Sequence, residues 1–472
     1  MAQGLSDKKK FEKIPYIVDK QINSLLGHVK SYGNSFVVYT FNNQHMAYHY
    51  AVNLLRCQKD HTNMERMVEH GNEEIAYHQY HQFLSEFKWD YVEVNNKTAL
   101  HANNLMLKCK AKSGSPTGLI IDESAHLKKG KMSVGVGRQY AGVAGKVDTC
   151  QVSVYASLCN EDITTIIDSV LFLPQDWIDD KKRCEKAGIP KEHISFKTKP
   201  QLALEIIKAK VKLGVEFDWI GGDGLYGHNS DLTNGLDDEG LFYVLDCHKS
   251  ETVFMSEPSF SIPEKKGKRG RNPTAVKPDI EAVKLETYCQ SLALTDWEEV
   301  TIRKTAKGWK KVNVHIAQVW HWDGVETKAR KRTLVITKTK EQNPKVKYSF
   351  SNGSTEDYSA KEYAYFQCNR YWVERSFDDA KNELGLSGYQ VRKWTAWHHH
   401  QALVLMACVY LQQVKFENKQ EYELMSVRDT RILIIAHLFT DPNTTNRLYK
   451  QMNIRHYARQ KDIDRHYEKP EY

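Results

Sequence analysis

Three acidic side chains stand in surroundings that suit metal chemistry. Thr117-Gly-Leu-Ile-Ile-Asp122 and Phe217-Asp-Trp-Ile-Gly-Gly-Asp223 are short, strand-like runs that each end in an aspartate, and open α/β sheets place their sites beyond the carboxyl ends of strands. If the two strands are neighbours, the carboxylates meet at one edge. A hard cation such as Mg²⁺ is held by one or two carboxylates plus phosphate oxygens, and two ions about 3.5–4 Å apart can activate an attacking oxygen and stabilise a leaving one. Taken singly, an Asp after a strand is usually a turn former.

A helix expected from Ala360 to Leu384 adds a third acid. Arg370, Glu374 and Lys381 are spaced by four and seven residues and share one stripe. Phe366, Val373, Phe377, Ala380 and Leu384 form the apolar stripe beside it, which sets the polar row on the shoulder of the core. Glu374 is the candidate third metal ligand, with Arg370 and Lys381 neutralising phosphates. The alternative is an ordinary i,i+4 ion-pair ladder.

The positive charge is clustered. Lys265, Lys266, Lys268, Arg269 and Arg271 fall within a segment bounded by Pro263 and Pro273 and spaced by glycines, which reads as an exposed loop suited to a phosphate backbone. A solvated linker is the competing reading. Lys128, Lys129, Lys131 and Arg138, around the glycine-rich stretch Gly130 to Gly145, are further cations available to DNA. That stretch fails the phosphate-loop pattern, since Lys146 is followed by Val147, and reads as a hairpin connection. His398, His399 and His400 cannot easily share one ion, because successive helical residues point about 100° apart. They are expected to pack at a helix start near DNA.

These residues need a scaffold, and 472 residues with 41% hydrophobic and 27% charged side chains supply one of globular type. The formal charge is 67 − 59 = +8. The longest apolar run, Ala402 to Leu411, is too short to cross a bilayer, and the polar start lacks a secretory apolar region. A soluble, unexported protein is expected. Nine scattered cysteines without a Cys-x-x-Cys pair argue for reduced thiols and against a disulfide framework or thiolate zinc site.

Periodicity divides the chain. Residues 1–110 read as a helical N-terminal domain, with Tyr77, Tyr80, Phe83, Leu84 and Phe87 at helical spacing, and either face DNA or form a plain bundle. Strands follow at Thr117–Asp122, Gln151–Tyr155 and Val170–Leu173, then a helix over Lys199–Leu213, a strand ending at Asp223, a helical stretch from His228 and a strand at Leu241–Leu245. This gives an α/β core over 111–246, a β-rich insertion over 247–345, completion of the core by the Glu-bearing helix over 346–415, and a helical C-terminal region over 416–472. A second, strongly apolar helix is expected over Trp397–Gln413. The polar stretch Arg455–Tyr472 is expected to be partly disordered.

Several ordered motifs together resemble a known family. Leu119-Ile-Ile-Asp-Glu-Ser124, Lys129 through Tyr140, Gly222-Asp-Gly-Leu-Tyr-Gly227 and Arg370-Tyr-Trp-Val-Glu-Arg-Ser-Phe-Asp-Asp-Ala-Lys381 resemble insertion-sequence transposases of the DDE type. Within the IS-four superfamily the chain is most similar to the IS seven-oh-one group, which also carries sequences like Tyr389-Gln-Val-Arg392 and Trp394-Thr-Ala-Trp-His-His-His400. The resemblance covers about residues 70 to 415. It implies a ribonuclease-H-like catalytic core interrupted by a β-rich insertion, with Asp122, Asp223 and Glu374 as the catalytic, metal-binding triad for two Mg²⁺ or Mn²⁺ ions. Arg370 and Lys381 match the Arg and Lys of a Tyr-Arg-Glu-Lys signature, whereas Gln367 stands at the Tyr position.

The resemblance further implies a DNA transposase that cuts transposon ends and transfers strands into target DNA. Its implied partners are the terminal inverted repeats and target DNA, bound by a homodimer with no membrane, in a bacterial cytoplasm close to the nucleoid. Alternatives are a related metal-dependent nuclease without strand transfer and an inactive, repurposed DNA-binding protein. Family members can hold a flipped base on a tryptophan. Trp309, Trp320 and Trp322 are candidates, set against a plain role in a β core.

Overall fold

Helical and strand periodicities alternate along the chain, and the elements follow them. The structure is a computed structural model that describes residues 25–57, 62–70, 75–264, 271, 273–305, 307–419, 424–439 and 442–467. Helices α1 (Gln44–Arg56) and α2 (Tyr91–Ser113) lead into strands β1 (Gly118–Leu127), β2 (Gly137–Ala141), β3 (Lys146–Asn160) and β4 (Ile163–Leu171). Helix α3 (Lys199–Leu213), strand β5 (Trp219–Gly222), helix α4 (Ser230–Asp238) and strand β6 (Tyr243–Cys247) follow. Longer strands come next: β7 (Glu298–Thr305), β8 (Gly308–His321), β9 (Arg330–Thr339) and β10 (Val346–Ser351). Helices α5 (Ala360–Asn369), α6 (Tyr371–Leu384), α7 (Trp394–Asn418), α8 (Val427–Phe439) and α9 (Pro442–Tyr467) complete the order.

The chain divides into two compact units. Met1–Thr117, Ile121–Phe217 and Trp372–Tyr472 make the first, Gly118–Ile120 and Asp218–Tyr371 the second.

In the first unit α7 is the central element. Every residue from Ala402 to Leu411 is buried, as a helix that is apolar all round must be, and α2 and β4 pack against it. The Asp90 carboxylate starts α2 by accepting from the backbone N–H groups of Val92 and Glu93, and Gly114 ends it at φ 71°. β2 pairs antiparallel with β3, and β3 with β4. Within Gly130 to Gly145, expected as a connection only, lies the short strand β2, whose sequence Gly-Arg-Gln-Tyr-Ala carries no apolar alternation. Of the polar stretch expected to be partly disordered, residues 455–467 are helical, and residues 468–472 lie outside the described residues. Met452, His456 and Ile463 are buried at helical spacing in α9, and His456 Nε2 lies 3.1 Å from Asp429 Oδ2.

The second unit holds a mixed sheet. β5 runs parallel to β6 and to the first residues of β1. β6 then pairs antiparallel with β10, followed in order by β9, β8 and β7. The alternating runs at Lys311–Trp320 and Thr333–Ile336 are therefore strands of the sheet that contains β5 and β6. Val253, Leu285, Val319, Leu334, Ile336 and Phe350 form a core beneath it.

The helix expected over Ala360–Leu384 is two helices. The break falls at Arg370, whose torsions stay helical (φ −51°, ψ −30°) while its guanidinium Nε donates to Asp246 Oδ2 at 2.9 Å. Among the described residues no helix is long and apolar enough to cross a membrane.

Candidate active site

Gly118, Leu119 and Ile120 of β1 face Trp219, Ile220 and Gly221 of β5 in parallel pairing. Asp122 lies two residues beyond the last paired residue of β1, and Asp223 two beyond that of β5.

Asp223 is fixed by its own turn. Its Oδ1 accepts from the Leu225 N–H at 3.0 Å, and its carbonyl accepts from Tyr226 and Gly227, so the residue also fulfils the turn-forming reading. Only glycine fits at 227, where a Cβ would lie 2.0 Å from the Asp246 carbonyl oxygen. The Asp246 carboxylate meanwhile accepts from Arg370 Nε at 2.9 Å and from Ser349 Oγ at 2.7 Å. Arg370 is thus partnered by an acid on β6.

Asp122 has different surroundings. Its Oδ1 accepts from the Glu123 N–H at 2.8 Å, and Glu123 in turn holds Lys199 Nζ at 2.9 Å. Ser124 and His126 share its strand face at every second residue and are buried. The Tyr389 hydroxyl lies 3.1 Å from His126 Nδ1, donates to Gln151 and accepts from Trp397 Nε1. Lys128 Nζ sits 3.6 Å from the centre of the Tyr389 ring and donates to the Tyr389 carbonyl at 2.9 Å. Burial pushes the Lys128 amine down to about 7. Burial, with Lys128, Lys381 and His400 nearby, holds the His126 imidazole well below its ordinary range. Lys128 is accordingly part of an interior network and not the surface cation expected of it, while Lys129, Lys131 and Arg138 are exposed.

Helix α6 carries Glu374 and Lys381. Its buried face, Trp372, Val373, Ser376, Phe377, Ala380 and Leu384, is anchored where Thr164 Oγ1 meets Ser376 Oγ at 2.6 Å and donates to the Trp372 carbonyl at 3.2 Å. Glu374 is exposed. Lys381 lies 5.6 Å from the centre of the Phe377 ring. An i,i+4 ion pair on this helix joins Arg375 to Asp379 at 2.7 Å.

Other expectations sort by burial. His398, His399 and His400 are buried and bonded inside the fold, to Trp394 O, to Leu84 O and Trp89 O, and to Tyr50 OH and Gly385 O. Burial pushes all three imidazoles below their ordinary range. The packing expectation for them stands. Lys265, Lys266, Lys268 and Arg269 lie outside the described residues, while Arg271 is exposed. Trp309 is 54% exposed, whereas Trp322 packs on Phe260 and donates to the Glu326 carbonyl. Among the described residues, no three His, Cys, Asp or Glu side chains are gathered as a metal site.

The sequence pattern of the DDE superfamily endonucleases matches residues 39–308, more than half of the chain. The chain belongs to that family. This DDE endonuclease is also similar to a probable transposase for insertion sequence element IS701 from Microchaete diplosiphon, at 24% identity over 335 residues covering 70% of this chain and 72% of that protein. Among solved structures the chain is similar to a piggyBac transposase synaptic complex with hairpin DNA, at 10% identity and a TM-score of 0.37, covering 94% of this chain and 81% of that one. The family match contains Asp122 and Asp223, and Glu374 lies beyond its end. Sequence reasoning about the DDE endonuclease missed the groups around the turn after Asp223, namely His228, His248, Glu251 and His321. His228 alone carried a local signal, five residues past the aspartate.

Proposed function

We propose that this endonuclease is a DNA transposase in which Asp122, Asp223 and Glu374 together hold divalent cations at a ribonuclease-H-like catalytic core. The observation that carries the reading is the equal offset of Asp122 and Asp223 from the last paired residues of two parallel strands, inside the segment that matches the family. Sequence similarity to a probable transposase supports strand transfer as well as cutting.

The donor set fits the cations. Three carboxylates offer hard oxygen ligands suited to Mg²⁺ or Mn²⁺, and two ions would activate the attacking oxygen and offset charge on the leaving one. The reading requires the carboxylates to converge in the DNA complex, since no three such groups are gathered among the described residues. Asp223 is oriented by the backbone of its own turn, and Glu374 is presented from a helix whose other face is locked to β4. Lys381 and Arg370 position and neutralise phosphates, with Asp246 orienting Arg370. Exposed Arg271 and its basic neighbours add backbone contacts whose effect weakens with salt.

In the first step water attacks a phosphodiester at the element end and releases a 3′ hydroxyl. In the second, that hydroxyl attacks a target phosphodiester and displaces a target 3′ hydroxyl. A homodimer bridging two ends would keep the reaction paired.

The test is cleavage of linear DNA carrying the flanking inverted repeats in Mg²⁺, with Glu374→Gln as control. Wild-type protein is expected to cut at the repeat boundary and the variant to leave the DNA whole. Cutting without joining is the second reading, favoured by the family description as endonucleases. Precut ends with a supercoiled plasmid separate the two, because nicked plasmid without joined product excludes a transposase.

A further inference from the structure

The turn after Asp223 is ringed by groups that the carboxylate chemistry leaves unassigned. His228 ends it, its side chain 64% exposed, with Nδ1 bonded to Glu251 Oε1. The other Glu251 oxygen, Oε2, lies 3.6 Å from His321 Nε2, and the Glu251 side chain is only 13% exposed. His248 covers Gly224, where a Cβ would lie 3.1 Å from the His248 Cε1 atom, and its ring is 5.9 Å from that of His228. Glu251 therefore ties together the Asp223 turn, the loop after β6 and the end of β8.

Burial opposes charge on Glu251, yet the neighbouring His321 and His228 hold its carboxyl below the ordinary range. An ionised Glu251 fixes the tautomer of His228 by accepting from Nδ1–H. The second ring nitrogen, Nε2, is then left for an outside partner. Asp323, Glu326 and Lys328 line the same small cleft. Arg330 is held there by Glu326 and Asp237, and Arg332 by Asp237.

We propose that His228 is a DNA-phosphate contact beside Asp223, donating Nε2–H to a non-bridging oxygen, with Glu251 as the residue that positions it. This rests on reading Asp223 as part of the cleavage site. Because the contact needs an imidazolium, it strengthens as pH falls, opposed by His248, His321 and Lys328 and favoured by Glu251, Asp323 and Glu326.

The experiment is fluorescence-anisotropy binding of the full chain to a labelled duplex carrying the inverted repeat, and to a scrambled duplex of equal length. Both are run in EDTA, from pH 6 to 8.5 and over a salt series. His228→Ala is expected to weaken binding at pH 6 by roughly fivefold on both duplexes, the scale of one charge-assisted hydrogen bond. It should also lower the log K versus log salt slope by about 0.9. At pH 8.5 wild type and variant should converge. Glu251→Gln should flatten the pH profile, and His228→Lys should restore tight binding without pH dependence, which a purely structural histidine would not allow. Wild-type affinity and salt slope for His228→Ala at pH 6 overturn the proposal. Cleavage by Asp223→Asn in Mg²⁺ is scored separately. Retained cleavage sinks the active-site reading, whereas loss of cleavage with unchanged His228→Ala binding sinks only the phosphate contact.

Discussion

The two strands that lead into Asp122 and Asp223 begin alike and end in opposite ways. After Asp223 the chain folds into a glycine-bounded turn whose geometry comes from its own backbone, with exposed His228 and His248 around it. After Asp122 the strand runs on into an interior polar network in which His126, Tyr389, Gln151 and Lys128 satisfy one another. A short apolar run closing on an acid therefore supports either a locally built, solvent-facing site or one tethered to the core through distant partners. The first depends on the acid and on the few residues of its own turn, Gly227 among them. The second transmits changes made far away along the chain.

The largest expected effect removes that distinction. Asp122→Asn and Asp223→Asn should each lower DNA cleavage by about 10³-fold or more, as expected when a metal-ligating carboxylate is lost. Asn caps a turn nearly as well as Asp, so Asp223→Asn should keep its urea midpoint close to wild type. A full-rate variant at either position breaks the comparison.

Next in size is Gly227→Ala. The added methyl meets the Asp246 carbonyl and must displace backbone, so urea unfolding should show a loss of about 1–3 kcal/mol. Around Asp122, Tyr389→Phe strands a buried donor on Trp397 and a buried acceptor on Gln151 and should cost roughly 1–3 kcal/mol in the same measurement.

The smallest effect is a slope. Burial leaves the Lys128 amine at about 7 in the folded chain, below its unfolded value of roughly 10.4. Between those values the unfolded chain binds the extra proton, so this lysine favours folding increasingly as pH rises through the window, and its cost is greatest below it. Relative to Lys128→Met, wild-type stability should therefore climb by about 1–3 kcal/mol from pH 7 to pH 10 in urea titrations. A pH-independent gap contradicts the buried, perturbed amine.

What could be read from the residues was local. Both acid-bearing strands and the apolar helix through Ala402–Leu411 follow from patterns a few residues long, and each element stands where those patterns put it. Strand β2 has no such pattern, because Arg138, Gln139 and Tyr140 within it offer no apolar alternation. The break at Arg370 escaped because its partner, Asp246, is 124 residues away. The packing of His398, His399 and His400 follows from their place at a helix start, but their partners at Leu84, Trp89, Tyr50 and Gly385 come from remote segments and have no local signal. Lys128 shows the converse error. A cation in a glycine-rich stretch reads as solvent-facing until Tyr389 is placed over it. The Glu251 bridge between His228 and His321 leaves no trace in spacing, because its three members lie on three separate segments.

Iron-directed cleavage of the polypeptide reads out whether Asp122, Asp223 and Glu374 share a metal centre. Fe²⁺ is loaded in place of Mg²⁺ on the protein bound to inverted-repeat DNA, and ascorbate with peroxide then cuts backbone close to the ion. A shared centre gives cuts clustered near residues 122, 223 and 374, all suppressed together by excess Mg²⁺ and all lost in Asp223→Asn. Cuts near only one of these positions, or a set that survives Asp223→Asn, would show that the three carboxylates do not share a metal centre.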